Sequence, residues 1–198
     1  MKTYIFDIAR VILSFEPYEF LLSKGLTDEQ VEKVSNALFK SELWLKMDRG
    51  VVDKQLAVDQ IKRENAEIAD NIQFVADHWM EMLQPIDETV ELIRLLRTSG
   101  HRLFYLSNLH DYTKEYVLNK FPEIWSMFEG GIFSCDVHLL KPEEEIFTML
   151  LTEFNLNKAE CIYIDDSLDN VKKASAMGIE SIHFTSPQVA LDLKERIK

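Results

Sequence analysis

Cysteine is nearly missing from this 198-residue chain: only Cys135 and Cys161 occur, and they lack metal-ligand spacing. Two are too few for a disulfide framework, so both are expected to be buried thiols. Basic charge is scarce as well. Lysine and arginine number 22 against 34 aspartates and glutamates, a net charge of -12, the reverse of the positive footprint that nucleic-acid binding requires. No apolar run reaches the length of a membrane span, and Met1 leads directly into a strand-like segment without a signal-peptide pattern. The expected setting is therefore the cytoplasm, with neither nucleic acid nor membrane as partner. Internal repeats and low-complexity tracts are also lacking. The hydrophobic content of 46% is enough to build a sizeable core, as one domain or as one domain carrying a smaller insertion.

The periodicity changes along the chain. Residues 3–8 read as a short buried strand, whereas 18–80 hold only helical patterns, such as 28–39 and 54–68, with Thr27 and Asp53 as N-cap candidates. After Pro85, residues 88–97 repeat apolar side chains at helical spacing and Gly100 follows as a terminator. From there strands and helices alternate: HRLFYLS, GGIFSC, ECIYID and SIHF as strands, EEEIFTMLLTEF and NVKKASAMG as helices. This order predicts an α/β fold, a three-layer Rossmann-like core with a mainly parallel sheet covered by helices. The all-helical block interrupts it, which divides the chain into a discontinuous core, 1–15 plus 84–198, and an inserted helical cap, 16–83.

One detail of the first strand needs a physical reason. In YIFDIARVIL, Asp7 stands inside an apolar run, where an ionised carboxylate is costly unless it is paired, hydrogen-bonded or metal-bound. Ligands of open α/β sheets bind beyond the carboxyl ends of the strands. Asp7 ends the first strand, Ser107 and Asn108 the second, Asp165 and Asp166 the fourth, and Lys141 follows the third after a short loop. Three carboxylates in a small volume repel one another unless a cation is present. Oxygen ligation by carboxylates, a main-chain carbonyl and a substrate phosphate suits Mg²⁺. Lys141 precedes a proline suited to a first helical turn, and its ammonium can balance a phosphate. Ser107 and Asn108 carry donors for phosphate oxygens, and Asp7 is the candidate nucleophile for an aspartyl-phosphate. Singly, each of these residues is as readily a cap or a turn; their order and strand context carry the weight.

The segments FDIARVI, LSN, LKPEEEIF and YIDDSLDN, in that order and with a helical insertion after the first, closely resemble the four motifs of the haloacid dehalogenase superfamily, in the branch with a type-1 helical cap that includes sugar-phosphate phosphatases. The resemblance implies a Mg²⁺-dependent phosphatase acting on a small phosphorylated metabolite, sugar phosphates among them. It makes Asp7 nucleophile and metal ligand, Ser107 and Asn108 phosphate contacts and Lys141 the balancing cation. Asp166 becomes the more direct metal ligand, with Asp165 and Asn170 supporting it, and the main-chain carbonyl of Ala9 a further ligand. In most phosphatases of the superfamily a second aspartate stands two residues after the nucleophile, protonates the leaving group and then activates water. Here Ala9 stands there, and loss of such help typically slows turnover by a factor of about a hundred to ten thousand.

Several neighbours carry two readings. Arg10 contacts the substrate phosphate or pairs with carboxylates of the cap. The Asp48-Arg49-Gly50 turn and Trp44 can face the leaving group, although Trp44 at helical spacing with Leu43 reads better as core. His110 can replace the missing acid-base group, although a histidine without a chemical role is the stronger reading. Two alternatives to the phosphatase stand beside it. One is a catalytically weak relative that binds a phosphorylated ligand or partner, motivated by Ala9; the other is a 2-haloacid dehalogenase, disfavoured by the carboxylate-rich fourth motif.

Overall fold

The computed structural model describes residues 1–197. Five parallel strands form one sheet in the order β3-β2-β1-β4-β5: β1 (Thr3–Phe6), β2 (Arg102–Ser107), β3 (Gly130–Phe133), β4 (Cys161–Asp165) and β5 (Glu180–His183). Between β1 and the core helix α6 (Asp87–Thr98) run α1 (Pro17–Ser23), α2 (Asp28–Ala37), α3 (Glu42–Asp48), α4 (Lys54–Glu64) and α5 (Ala69–His78). The remaining helices are α7 (Asp111–Lys120), α8 (Pro122–Trp125), α9 (Ser134–Val137), α10 (Glu144–Glu153), α11 (Leu168–Ala176) and α12 (Gln188–Ile197).

β1 lies at the centre, paired with β2 on one side and β4 on the other, which explains why all four of its residues are buried and apolar in pattern rather than alternating. Its side chains still go to opposite faces. Tyr4 and Phe6, with Ile162 and Ile164 of β4, join Leu92, Ile93 and Leu96 of α6 and Leu193 of α12. Ile5, with Phe104 and Tyr163, joins Ile146, Phe147 and Leu150 of α10 and Ala174 of α11. Each such large side chain removed from water contributes about 1.5–3 kcal/mol. The first cluster continues without a break into Leu21, Val31, Ile72 and Val75 of the helical segment, so this segment shares its core with the sheet.

The chain enters and leaves the helical segment through one stem. Leu13 bridges to Pro85, Ser14 N–H donates to Gln84 O at 2.8 Å and Ile86 N–H to Ile12 O at 2.9 Å. Thr27 closes a capping box with Gln30, and Asp53 accepts from Gln55 N–H and Leu56 N–H, as the sequence predicts. The end of α3 is tied down at several points. Arg49 pairs with Glu143 and donates to His138 O at 3.0 Å, and Ser134 Oγ donates to Asp48 O. Gly50 has φ 70° and lies directly on the Cys135 main chain.

The strand expected over 3–8 ends at Phe6. Asp7 N–H still reaches Ile164 O at 2.9 Å, but the N–H groups of Ile12 and Leu13 both turn back to Ile8 O, and the carboxylate is thereby left at the strand tip. The third strand stops at Phe133 instead of Cys135, because Ser134 and Cys135 open α9. Pro142 does not start a helix: α10 begins at Glu144, after a turn closed by Glu143 N–H to Leu140 O at 2.7 Å. Both cysteines are free and buried. No described helix is long and apolar enough to cross a membrane. Gly50→Ala combines a left-handed backbone with a collision against Cys135, and is expected to lower stability by about 2 kcal/mol or more in urea denaturation.

Candidate active site

The sheet reverses its order at β1, with β2 and β3 on one side and β4 and β5 on the other. A crevice at the carboxyl ends of the strands is the expected ligand position at such a point. Asp7, Ser107 and Asp165 meet there around the ammonium of Lys141. Lys141 Nζ lies 2.8 Å from Asp7 Oδ1 and 2.7 Å from Asp165 Oδ2, with the lysine side chain 1% and Asp165 0% exposed. Asp7 Oδ1 also accepts from Ser107 Oγ at 2.8 Å and from Ile8 N–H at 2.7 Å. Asp165 accepts from Tyr163 Oη, from Ser167 N–H at 2.7 Å and from Asn170 Nδ2 at 3.1 Å. Main-chain hydrogen bonds to the Asn108 amide fix the lysine itself: Lys141 N–H donates to Asn108 Oδ1 at 2.8 Å and Asn108 Nδ2 to Lys141 O at 3.0 Å.

These environments separate the two buried acids. Burial raises the Asp7 carboxyl to about 7, against the opposing pull of Lys141 and with the help of Asp165 and Asp166. Burial also acts on Asp165, but Lys141 and the hydrogen bonds outweigh it and hold that carboxyl below its usual value. Asp166, just beyond β4, is raised by burial and by Asp165. Asp7, Asp165 and Asp166 each bring a carboxylate oxygen within 4.8 Å of the others. Asp165 is engaged with the lysine and three donors, so Asp7 and Asp166 are the pair with capacity for a cation, and an all-oxygen donor set suits Mg²⁺. Arg10 Nη1 stands 3.9 Å from Asp166 Oδ2, while its Nε donates to Phe15 O at 2.9 Å; its φ of 62° is strained for a non-glycine residue.

On the side of the helical segment, a cavity of about 70 Å³ opens beside Ala9 and Asn108, walled by Phe15, Trp44, Asp48 and Trp79. Trp44 packs edge-on against Phe39, Trp79 and His110. The Trp79 indole N–H is buried with no partner among the described residues. Asp48 is buried, and burial lifts its carboxyl to about 7, against the His110 main-chain N–H and the Trp44 side chain. Outside the stem, a larger groove of about 690 Å³ runs past Arg10, Asp166, His183 and Ser186.

A family model of haloacid dehalogenase-like hydrolases matches residues 1–178. The chain belongs to this family. Among curated proteins, the sesquiterpene phosphatase astK of Aspergillus oryzae is 24% identical over 200 residues, covering 99% of this chain and 96% of its own. The drimenol cyclase drtB of Aspergillus calidoustus is 23% identical over 77% of this chain but only 29% of its own length. Among solved structures, the family enzyme bt-2542 of Bacteroides thetaiotaomicron, in complex with magnesium and inorganic phosphate, has a TM-score of 0.71 at 22% identity, covering 92% of this chain and 93% of its own.

Within this haloacid dehalogenase-like fold the structure brings together Asp7, Ser107, Lys141, Asp165 and Asp166 as the sequence predicts, with Arg10 at their edge. Asn108 has a second duty: both ends of its amide are engaged by the Lys141 main chain, so its side chain is a clamp, with the second Nδ2 hydrogen outside that pair of bonds. Arg10 faces Asp166 of the core and not a carboxylate of the helical segment. His110 is buried, caps α7 through Thr113 N–H and is pushed down to about 4 by burial and by Lys54, which keeps the ring neutral. Trp44 is packed with other aromatics and also lines the cavity. Sequence reading missed Tyr163 and Trp79. Tyr163 carried a signal, since it stands two residues before Asp165 on the same strand face; Trp79 carried none.

Asp48 offers a stability test. Its carboxyl titrates near 4 when unfolded and near 7 when folded, so the folded chain holds the extra proton and stability falls as pH rises through that window. Asp48→Asn removes this slope. The variant is expected to match the wild type near pH 4 and to exceed it by roughly 4 kcal/mol at pH 8, read from urea midpoints at both pH values.

Proposed function

We propose that the protein is a Mg²⁺-dependent phosphatase that hydrolyses a small phosphorylated metabolite through an aspartyl-phosphate on Asp7. The observation that carries this reading is the Lys141 ammonium seated between Asp7 and Asp165 at the end of a parallel sheet, with Asp166 beside them. The contacts described for Asp7 fall on Oδ1, which leaves Oδ2 open to the site; the carboxylate has two oxygens to divide between phosphorus and the metal. Lys141 and Ser107 orient the nucleophile, and the ammonium balances the charge of a bound phosphate. Asp7, Asp166 and the main-chain carbonyl of Ala9 are the oxygens that would hold Mg²⁺, which when bound screens the phosphate from the carboxylates. Residues 16–83 act as a cap that excludes water from the bond being broken, and Arg10 meets the substrate at the rim of the groove.

The phosphate complex of bt-2542 and the activity in the name of astK support phosphate ester chemistry over dehalogenation. They do not choose the leaving group. A sugar phosphate suits the polar groove past Arg10 and His183. The aromatic walls of the inner cavity, Phe15, Trp44 and Trp79, favour a monoester whose first carbons are apolar, as in a terpenoid alcohol, and the unpaired Trp79 N–H would bond to an oxygen on it. A panel holding both kinds of monoester, incubated with the pure protein, is expected to yield inorganic phosphate with Mg²⁺ and none with a chelator. Asp7→Asn is expected to lower turnover by about a thousandfold or more. Absence of phosphate release across the panel, or chloride release from 2-haloacids in chelator, would remove this reading.

A further inference from the structure

The chemistry proposed above lacks a proton donor at position 9, where Ala9 faces the cavity. An alkoxide leaving group needs one: an unassisted alkoxide is a very poor leaving group, whereas a positioned carboxylic acid is worth about a hundred to ten thousandfold. Within the described residues that wall the cavity, the ionisable side chains are Asp48 and His110. His110 is occupied with Thr113, its Nδ1 accepting from the main-chain N–H at 3.3 Å and its Nε2 lying 3.1 Å from Oγ1. Asp48, whose carboxyl accepts from the His110 main-chain N–H and the Trp44 side chain, is the carboxylic acid on this wall among the described residues.

Resting on the phosphatase reading, we propose that Asp48, brought from the helical segment, is the general acid and base that replaces the aspartate absent at position 9. Its placement is built and not incidental. It is the last residue of α3, its carbonyl accepts from Ser134 Oγ, and that same hydroxyl accepts from Leu109 N–H at 2.9 Å, two residues past Ser107. The next residues, Arg49 and Gly50, are pinned on Glu143, His138 and Cys135. The Asp48 backbone is thus anchored to the same loops that carry Asn108 and Lys141. Burial lifts the carboxyl to about 7, so that near neutral pH it can both hold a proton and give it up, as an acid and base must.

An Asp7 carboxylate oxygen attacks phosphorus; the bond from phosphorus to the ester oxygen breaks, and that oxygen takes the Asp48 proton and leaves as the alcohol. Water then attacks the same phosphorus, gives its proton to the Asp48 carboxylate, and the bond to Asp7 breaks, releasing inorganic phosphate and restoring both acids.

The test compares Asp48→Asn with wild type on two substrates, p-nitrophenyl phosphate, whose leaving group needs no proton, and a primary alkyl phosphate. Asp48→Asn is expected to keep a stoichiometric burst of nitrophenolate, because the first step survives, followed by steady turnover slowed at least a hundredfold. On the alkyl phosphate it shows neither burst nor useful turnover. Equal losses on both substrates without a burst, or no loss on either, overturn the proposal. Should the variant not fold, wild type alone decides through a series of substituted phenyl phosphates. A kcat/KM, which reports the step that expels the leaving group, nearly independent of leaving-group acidity supports proton donation, and a steep dependence contradicts it. Wild type inert towards every phosphate monoester instead strikes the phosphatase reading itself.

Discussion

The site depends on one buried interaction, the ammonium of Lys141 held between the carboxylates of Asp7 and Asp165. Three charges removed from water are expensive, and such a group persists only when each member is paired and its remaining hydrogen-bonding capacity is filled. That condition explains much of the surrounding sequence. Ser107 and Ile8 N–H complete Asp7; Tyr163, Ser167 and Asn170 complete Asp165; Asn108 fixes the lysine backbone. The parallel pairing of β1 with both β2 and β4 brings these residues, distant in the chain, to one edge.

The helical segment is bound into this arrangement in two ways. Its apolar residues belong to the same cluster as one face of the sheet, and the end of α3 is hydrogen-bonded to the loops after β2 and β3. Asp48 therefore stands at a fixed distance from the strand ends. A buried carboxyl is unfavourable for folding once ionised, so Asp48 costs stability as pH rises.

Most of the fold was legible because its signals are local. Capping residues such as Thr27 and Asp53, apolar runs of strand length and helical spacing after Pro85 each report on a few neighbouring residues. The ends of elements were less legible: β1 stops at Phe6, where the next turn folds back on Ile8 O without a glycine or proline to mark it, and Ser134, at the start of a helix, bonds to Asp48, 86 residues away. The helices α7 and α12 left no pattern strong enough to be singled out. In the site, the residues at strand tips could be read from order alone. The Asn108 clamp could not, since an amide's partner is set by a loop 33 residues away, and neither could the cavity, whose walls come from separate segments of the chain.

The most direct test of the account is a crystal structure with Mg²⁺ and beryllium fluoride, a mimic of a phosphoryl group on a carboxylate. The account predicts the beryllium on an Asp7 oxygen, the metal shared by Asp7 and Asp166, and Lys141 still bridging Asp7 and Asp165. A fluoride complex bound elsewhere, or a Lys141 side chain turned away from both acids, would contradict it.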